Sequence, residues 1–340
     1  MKPIAKITLG TISLLTLSLG GMVVQAGGWD NFKLQYFHLT SVFHDQSQEL
    51  EDIKKQNNKP KDTARIDLNN LFNGGPPKDG IPSIDDPKFD TAETTPFDKD
   101  ETVIGVVING EAKAYPYKIM NWHEIVNDTI GGINVSVTYC PLCDTIATFT
   151  RGNTTFGVSG KLYQSCLVMY DRADDTLYAQ PWTLGIVGSR VNQSLERLPS
   201  VKTSLGDWLE KHPDSEILST ETGYDRNYQR YPYGSYYTDD RIIFSVRNQD
   251  QRELHPKAIV SYIWESGNGT PKGEFSGASQ QFPHQEMKQV GEKTVQFNGR
   301  KIQARWDEEL ETVIVEEMDE TRIPSSPAFA FVYPAFFGES

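Results

Sequence analysis

Residues 103–140, VIGVVINGEAKAYPYKIMNWHEIVNDTIGGINVSVTYC, decide the fold of this chain. Residues 103–108 form an apolar run typical of a buried strand, and the Asn109-Gly110 pair after them is the strongest short signal for a β-hairpin. Further along, Ile133–Cys140 alternates apolar with polar residues, as a half-buried strand does. This stretch therefore predicts strands before and after one helix.

The helix is predicted over residues 116–126. Pro116 suits the first position of a helix, and the apolar residues that recur at helical spacing share one face with His123. A short glycine turn follows, and short connections usually leave successive elements side by side. We therefore expect the helix face that carries His123 to pack toward the strand that ends at Cys140.

The remainder of the chain predicts more short strands and few helices. Strand patterns occur at residues 145–151, 154–159, 241–246, 258–264, 294–297, 301–305 and 312–315. Ser204 can serve as the N-cap of a helix over residues 204–211. A similar order of strands in the two halves of the chain indicates a weak internal repeat. The fold class that follows is α+β and β-rich, with mixed or antiparallel sheets, few short helices and, as an open alternative, two related β subdomains.

The 340 residues are interpreted as three segments. Residues 1–26 are predicted to be a secretory signal peptide, because lysines precede an uncharged apolar run and small residues mark the cleavage point. A retained membrane anchor is the alternative, since the run approaches the length that spans a bilayer. Residues 27–64 are interpreted as an N-terminal extension. Residues 65–340 are interpreted as the main domain, with a subdivision near residues 220–240 as an open alternative.

Composition excludes several classes of function. The formal net charge of −13 leaves no basic surplus to neutralise phosphates, which argues against a nucleic-acid partner. Three cysteines are too few for a disulfide-stapled scaffold. No segment after the signal peptide reaches about 18 consecutive apolar residues, so no membrane span is expected after cleavage. The expected location is extracytoplasmic, either periplasmic or secreted, and the sequence names no protein partner.

The most informative motif is Cys140-Pro141-Leu142-Cys143. This spacing suits a redox dithiol, a metal clip or a structural disulfide, and two small buried hydrophobic residues are a further interpretation. The residues after Cys143 indicate a strand, whereas a thioredoxin-like fold requires a helix there. Asp144 stands where c-type haem attachment requires histidine. The metal, redox and structural interpretations therefore remain open.

Soft ligands that lie near one another favour Cu(I) or another thiophilic metal. The candidate metal ligands are Cys140, Cys143, His123 and Met169. Cys166 is a further candidate, although it is expected to be buried and inert. Copper or a similar metal is the cofactor that this motif suggests, and the sequence identifies no other.

Two other functions compete with a thiol-based metal or redox site. Cys140 and His123 could form the nucleophile–base pair of a thiol-dependent hydrolase or transferase, although a lone histidine on an apolar helix face is more often a core residue. The tyrosine-rich loop at residues 224–237 could instead stack on a sugar ring in a non-catalytic extracellular binding module. Whether the protein is an enzyme is left open by the sequence.

Several long segments together resemble the DUF3179 family, secreted bacterial and archaeal proteins without an assigned function. The resemblance covers roughly residues 65–335 and is carried by residues 74–89, 103–128, 137–151, 156–172, 226–237 and 254–260. Two positions depart from the family pattern. Asp144 stands where glycine is expected, which puts the tight turn after the second cysteine in question, and Cys166 stands where another residue is expected. The resemblance implies an extracytoplasmic location but no reaction.

Overall fold

The computed structural model describes residues 64–338, apart from residue 252, residues 267–274 and residue 276. The predicted signal peptide lies outside these described residues, as does the predicted extension except for its last residue. No helix in the described part of the chain has the length and apolar character needed to cross a membrane. The described chain is β-rich, with short helices, as predicted.

Short strands make up most of the regular structure in the described residues. In chain order they are β1 (Leu71–Asn73), β2 (Phe89–Asp90), β3 (Thr102–Ile108), β4 (Glu111–Pro116), β5 (Ile125–Ile130), β6 (Ile133–Cys140), β7 (Thr145–Thr150), β8 (Phe156–Tyr163), β9 (Cys166–Asp171), β10 (Leu177–Ala179), β11 (Leu184–Val187), β12 (Arg197–Leu198), β13 (Val201–Ser204), β14 (Glu216–Leu218), β15 (Ile259–Ser266), β16 (Gly277–Pro283), β17 (Glu292–Phe297), β18 (Arg300–Asp307), β19 (Thr312–Glu317) and β20 (Ser326–Phe329). The α-helices are α1 (Tyr117–His123), α2 (Leu205–Lys211), α3 (His284–Val290) and α4 (Val332–Phe337), and short 3-10 helices lie at Leu68–Asn70, Gln180–Trp182 and Gln249–Gln251.

The described strands form five sheets. Their strand orders are β1-β8-β9-β10-β11, β12-β7-β6-β5, β13-β3-β4-β14-β2, β16-β15-β20 and β17-β18-β19. All neighbouring pairs are antiparallel except β4 and β14, which run parallel. The Asn109-Gly110 turn between β3 and β4 has positive φ angles of 51° and 85°, the conformation that a tight hairpin needs.

Two segments of the chain repeat the same order of elements. We call β3, β4, α1, β5, β6 and β7 the first unit, and β15, β16, α3, β17, β18 and β19 the second unit. In each unit a hairpin ends in a proline, a helix of seven residues follows, and three antiparallel strands come next. From that proline onward, equivalent residues lie at a constant separation along the chain. The structure therefore shows the internal repeat more clearly than the amino-acid sequence does.

Two sequence predictions are wrong at the level of elements. The helix predicted over residues 116–126 ends at His123, because Glu124 adopts a left-handed conformation with φ of 59° and β-branched residues then begin β5. Residues 241–246, predicted as a strand, form no strand, and Ile242 and Ile243 pack against the core from a loop. The N-cap at Ser204 is confirmed, since its side chain accepts the Asp207 N–H.

The largest hydrophobic core joins the sheet of β8 and β9 to the C-terminal segment. Phe329, Phe331 and Phe336 are buried there, and the Phe336 ring meets Trp182 edge-on at 5.0 Å. All three cysteines belong to this same core. The cysteine motif thus lies inside this hydrophobic core rather than at an exposed edge.

Candidate functional site

The three cysteines form a row of buried thiols. Cys140 ends β6, Cys143 lies in the turn before β7, and Cys166 begins β9. All three are free, and Cys143 lies within hydrogen-bonding range of both Cys140 and Cys166. The backbone N–H of Leu167 also donates to the Cys140 sulfur at 3.3 Å. The structure therefore brings the two motif cysteines together and adds the third.

The surroundings keep these thiols protonated. Burial raises the pKa of Cys140 and Cys143 well above the usual value of a thiol, and it raises the pKa of Cys166 to about 11. A neutral thiol is a weak nucleophile, since the thiolate is the reactive form. This environment therefore does not activate Cys140 for attack on a substrate.

The predicted metal ligands are only partly assembled. Among the described residues, no three or more His, Cys, Asp or Glu side chains are grouped as a metal site requires, so His123 does not join Cys140 and Cys143 in such a group. Met169 lies three residues beyond Cys166 in β9, and alternation along the strand places the two side chains on opposite faces. The residues present therefore do not fit a four-ligand copper site.

His123 is buried between two loops. Its Nδ1 lies 2.7 Å from the carbonyl oxygen of Pro82, and its Nε2 lies 2.7 Å from the hydroxyl of Tyr228. Because a carbonyl can only accept, Nδ1 carries the proton and the Tyr228 hydroxyl donates to Nε2. Burial lowers the pKa of His123 to about 4, which keeps the ring neutral. Helix α1 does pack against β6 as expected, but both ring nitrogens of His123 are occupied by other partners.

Glu124, next to His123, is a site residue that the sequence reasoning missed. Its buried carboxylate accepts a hydrogen bond from Tyr233 at 3.0 Å, and burial raises its pKa to about 7. Its charge also contributes to the raised pKa of Cys140. The second unit has Gly291 at the equivalent position, again with positive φ. An acid at a helix end that favours glycine is the signal that could have revealed it.

Glu124 lines a cavity of about 300 Å³, which we call the apolar cleft. The cleft lies between the Gly/Pro-rich loop of residues 74–81 and the tyrosine-rich loop. Its apolar wall includes Ile81, Leu142, Val158, Leu162, Leu167, Ile243 and Phe244. Its polar lining includes Asn121, Trp122, Glu124, Lys161, Arg226, Arg230 and Tyr233. Apolar walls with a few polar groups are typical of small-molecule sites.

Two arginine side chains lie over the indole ring of Trp122 in the lining of the apolar cleft. The guanidinium groups of Arg226 and Arg230 lie 5.9 Å and 5.4 Å from the centre of its indole ring. Behind the opposite wall, Leu167 contacts the Cys140 sulfur through its backbone, and Leu142 belongs to the cysteine motif itself. The buried cysteines therefore lie next to residues that line the apolar cleft.

A second cavity of about 460 Å³, the tyrosine chamber, lies beside the cleft and shares Asn121 and Arg230 with it. Tyrosine rings dominate its lining, from Tyr117, Tyr139, Tyr228, Tyr231 and Tyr237. Residues of α1 line both cavities, with Tyr117 and Lys118 in the chamber, Trp122 in the cleft and Asn121 in both.

Asp144 lies behind the tyrosine chamber. It adopts a left-handed conformation with φ of 52°, so the tight turn forms without glycine. The buried carboxylate pairs with the ammonium group of Lys202 and accepts a hydrogen bond from Tyr139 at 3.1 Å. Lys202 also donates to the Tyr237 hydroxyl at 3.0 Å. The acid that departs from the family pattern thus ties the turn to β13.

A family model described as "Protein of unknown function (DUF3179)" matches residues 78–322. The chain belongs to this family. The match spans both units, the cysteine motif, the lining of the tyrosine chamber and most of the lining of the apolar cleft, and the resemblance inferred from the sequence is confirmed. No curated protein and no solved structure matches the chain. Since the family description assigns no activity, function has to be argued from the site.

Proposed function

We propose that this DUF3179 protein binds, outside the cytoplasm, a small amphipathic molecule that carries one anionic group. The observation that carries the proposal is the apolar cleft, a concave cavity of about 300 Å³ closed on two sides by loops. An apolar body buried there is stabilised by the hydrophobic effect. The extracytoplasmic location rests on the predicted signal peptide.

The polar lining of the cleft is the reason for expecting an anionic group on the ligand. Lys161, Arg226 and Arg230 are cationic, whereas Glu124 is the acid among the lining residues. Because burial raises the pKa of Glu124 to about 7, this carboxyl is largely uncharged in mildly acidic medium and can donate a hydrogen bond to a ligand. Arginine suits carboxylate or phosphonate-like groups through its planar fork of donors.

The contacts of His123 and Cys140 do not favour a thiol-dependent hydrolase or transferase. His123 has Pro82 and Tyr228 as its partners, and burial raises the pKa of Cys140. These contacts support a bridging role for His123 and a buried, packed role for Cys140 in the hydrophobic core.

The probe for this proposal is 1-anilinonaphthalene-8-sulfonate, which combines an aromatic body with a sulfonate. We expect saturable binding to the native protein, with energy transfer from tryptophan to the probe that falls in Trp122→Phe. Arg226→Glu should weaken binding at least about tenfold, because one charge-assisted contact is replaced by repulsion. The measurement is a fluorescence titration, with near-UV circular dichroism to show that each variant is folded.

The matched control is Lys293→Glu, a charge reversal at an exposed lysine of the second unit. It should bind the probe as the wild type does. Absence of saturable binding, or equal affinity in Arg226→Glu and Lys293→Glu, would contradict the proposed function.

A thiol function is the second candidate, favoured by one specific observation. The second unit builds the same turn with Asp307 and Leu310 in place of Cys140 and Cys143, so the turn does not require thiols. In a redox role, the two motif thiols would be oxidised to a disulfide while a small-molecule disulfide is reduced to two thiols. In a metal role, the same two sulfurs would hold copper.

Mass spectrometry separates these roles. In the redox role, incubation with oxidised glutathione removes two hydrogen atoms from the wild type and from Cys166→Ser, but not from Cys143→Ser. In the metal role, protein from copper-replete cells retains copper unless Cys140 or Cys143 is replaced by serine. Three unmodified thiols and no bound metal would leave both roles without support.

A further inference from the structure

The tyrosine chamber holds polar atoms that the protein leaves without partners. Three such atoms lie among its lining residues: the side-chain oxygen of Asn121 and the hydroxyls of Tyr117 and Tyr231. All three atoms are buried, and none makes a hydrogen bond with the protein. Buried polar groups are nearly always paired, because an unpaired one lowers the stability of the fold. Three of them belong to the lining of a single cavity, where one bound molecule could pair with all three.

Tyr117 illustrates the point. Its side chain is only 7% exposed, and burial together with the nearby Asp144 carboxylate raises the pKa of its hydroxyl well above the usual value. The Tyr117 hydroxyl approaches that carboxylate without meeting the geometry of a hydrogen bond, whereas Tyr139 and Lys202 are hydrogen-bonded to it. The Tyr117 hydroxyl therefore stays protonated and lines the chamber as a donor or an acceptor.

Two ion pairs lie beside the chamber, whose lining carries other charged groups as well. The Asp144 carboxylate faces Lys202, and the Glu101 carboxylate lies 3.1 Å from the ammonium group of Lys118. An ionic ligand would have to compete with these internal pairs. An uncharged ligand only needs the unpaired hydrogen-bonding atoms and a ring face to stack on.

We propose that the tyrosine chamber binds an uncharged sugar, with Asn121, Tyr117 and Tyr231 bonding its hydroxyl groups. A pyranose ring offers both features that the lining calls for, since its C–H face packs on aromatic rings and its edge carries several hydroxyls. The volume of about 460 Å³ lies in the usual range of small-molecule sites. This site adjoins the apolar cleft proposed above and shares Asn121 and Arg230 with it, but its ligand is uncharged, whereas that of the cleft is amphipathic and anionic.

The test uses saturation-transfer NMR on the full chain with four probes: glucose, galactose, N-acetylglucosamine and cellobiose. At least one should bind saturably at millimolar concentration, and Tyr231→Phe should weaken that binding about fivefold to tenfold, as expected for one lost hydrogen bond. Because the Tyr231 hydroxyl has no partner in the protein, Tyr231→Phe should not lower the midpoint of thermal unfolding. A merely structural tyrosine would show the opposite pattern.

Tyr224→Phe is the matched control, since Tyr224 belongs to the same loop, is exposed and does not line the chamber. It should bind the sugar as the wild type does, and so should Arg226→Glu, which affects only the cleft. Failure of all four sugars to bind, wild-type affinity in Tyr231→Phe, or binding of glucose 6-phosphate without glucose would overturn the proposal. None of these outcomes depends on the binding of anilinonaphthalenesulfonate, so the two proposals can fail separately.

Discussion

The first and second units share a backbone plan but differ in what they place at equivalent positions. Both helices follow a proline, and both turns before the last strand contain an acid with positive φ, Asp144 at 52° and Glu311 at 47°. In the first unit, however, this acid is fully buried and paired with Lys202, whereas Glu311 is exposed. The same backbone conformation thus holds a buried acid in one unit and an exposed acid in the other.

The residues at the ends of the two helices differ in the same sense. His123 and Glu124 are buried, while their counterparts Val290 and Gly291 are exposed. Since the second unit folds the same way without the buried polar residues, the fold does not require them. These differences indicate that the candidate functional residues of this protein are concentrated in the first unit and in the loops that cover it.

The largest difference between the two units is expected when the ion pairs of the two turn acids are broken. Lys202→Met leaves the Asp144 carboxylate buried without its cation, which should cost about 3–5 kcal/mol of unfolding free energy. The equivalent change, Lys288→Met, removes an exposed partner of Glu311 and should cost less than about 1 kcal/mol. Urea unfolding of both variants gives the two values. Equal losses would mean that the two turns are not energetically different.

Glu124 provides a pH-dependent test. Its pKa rises from 4.5 to about 7 on folding because burial disfavours the charge, so the native state prefers the protonated form. The associated stability is present below pH 4.5, falls as the pH rises toward 7, and amounts to about 3 kcal/mol at most. Glu124→Gln should remove this dependence and be more stable than the wild type at pH 8.

The measurement is the midpoint of thermal unfolding at pH 4.5 and pH 8. Glu210→Gln, at an exposed acid of α2, is the control and should follow the wild type at both values. A Glu124→Gln variant with the same pH profile as the wild type would show that the buried acid does not titrate as its surroundings imply.

His123 and Val290 give a smaller contrast. His123→Ala deletes two buried hydrogen bonds between loops and should cost about 2 kcal/mol, while Val290→Ala, at an exposed position, should change stability by less than about 0.5 kcal/mol. Under native conditions the alkylation rates of the cysteines should not change in either variant. A tenfold change in His123→Ala would instead restore the idea that His123 governs the thiols.

Much of the fold could be predicted from local sequence because its signals are local. The Asn109-Gly110 turn and the alternation of Ile133–Cys140 depend only on neighbouring residues, and both elements are present. The end of α1 could not be predicted, because Glu124 adopts its left-handed conformation in a tertiary setting where Tyr233, far along the chain, binds its carboxylate.

The site could be predicted only in part for the same reason. The motif of Cys140 and Cys143 marked the right region, but the partners of His123 come from two loops, at Pro82 and Tyr228, that no spacing rule connects. The unpaired atoms of the tyrosine chamber are likewise visible only when distant segments are brought together. The roles of the cysteines as metal ligands or a redox pair remain predictions.

Hydrogen exchange followed by mass spectrometry, with and without saturating anilinonaphthalenesulfonate, tests the central claim most directly. Bound probe should slow amide exchange in peptides that cover residues 74–81, 121–124 and 226–233. Peptides of the second unit that cover residues 288–291 and 305–311 should exchange at unchanged rates. Protection in the second unit, or none in the loops around the apolar cleft, would contradict the account that the first unit carries the binding site.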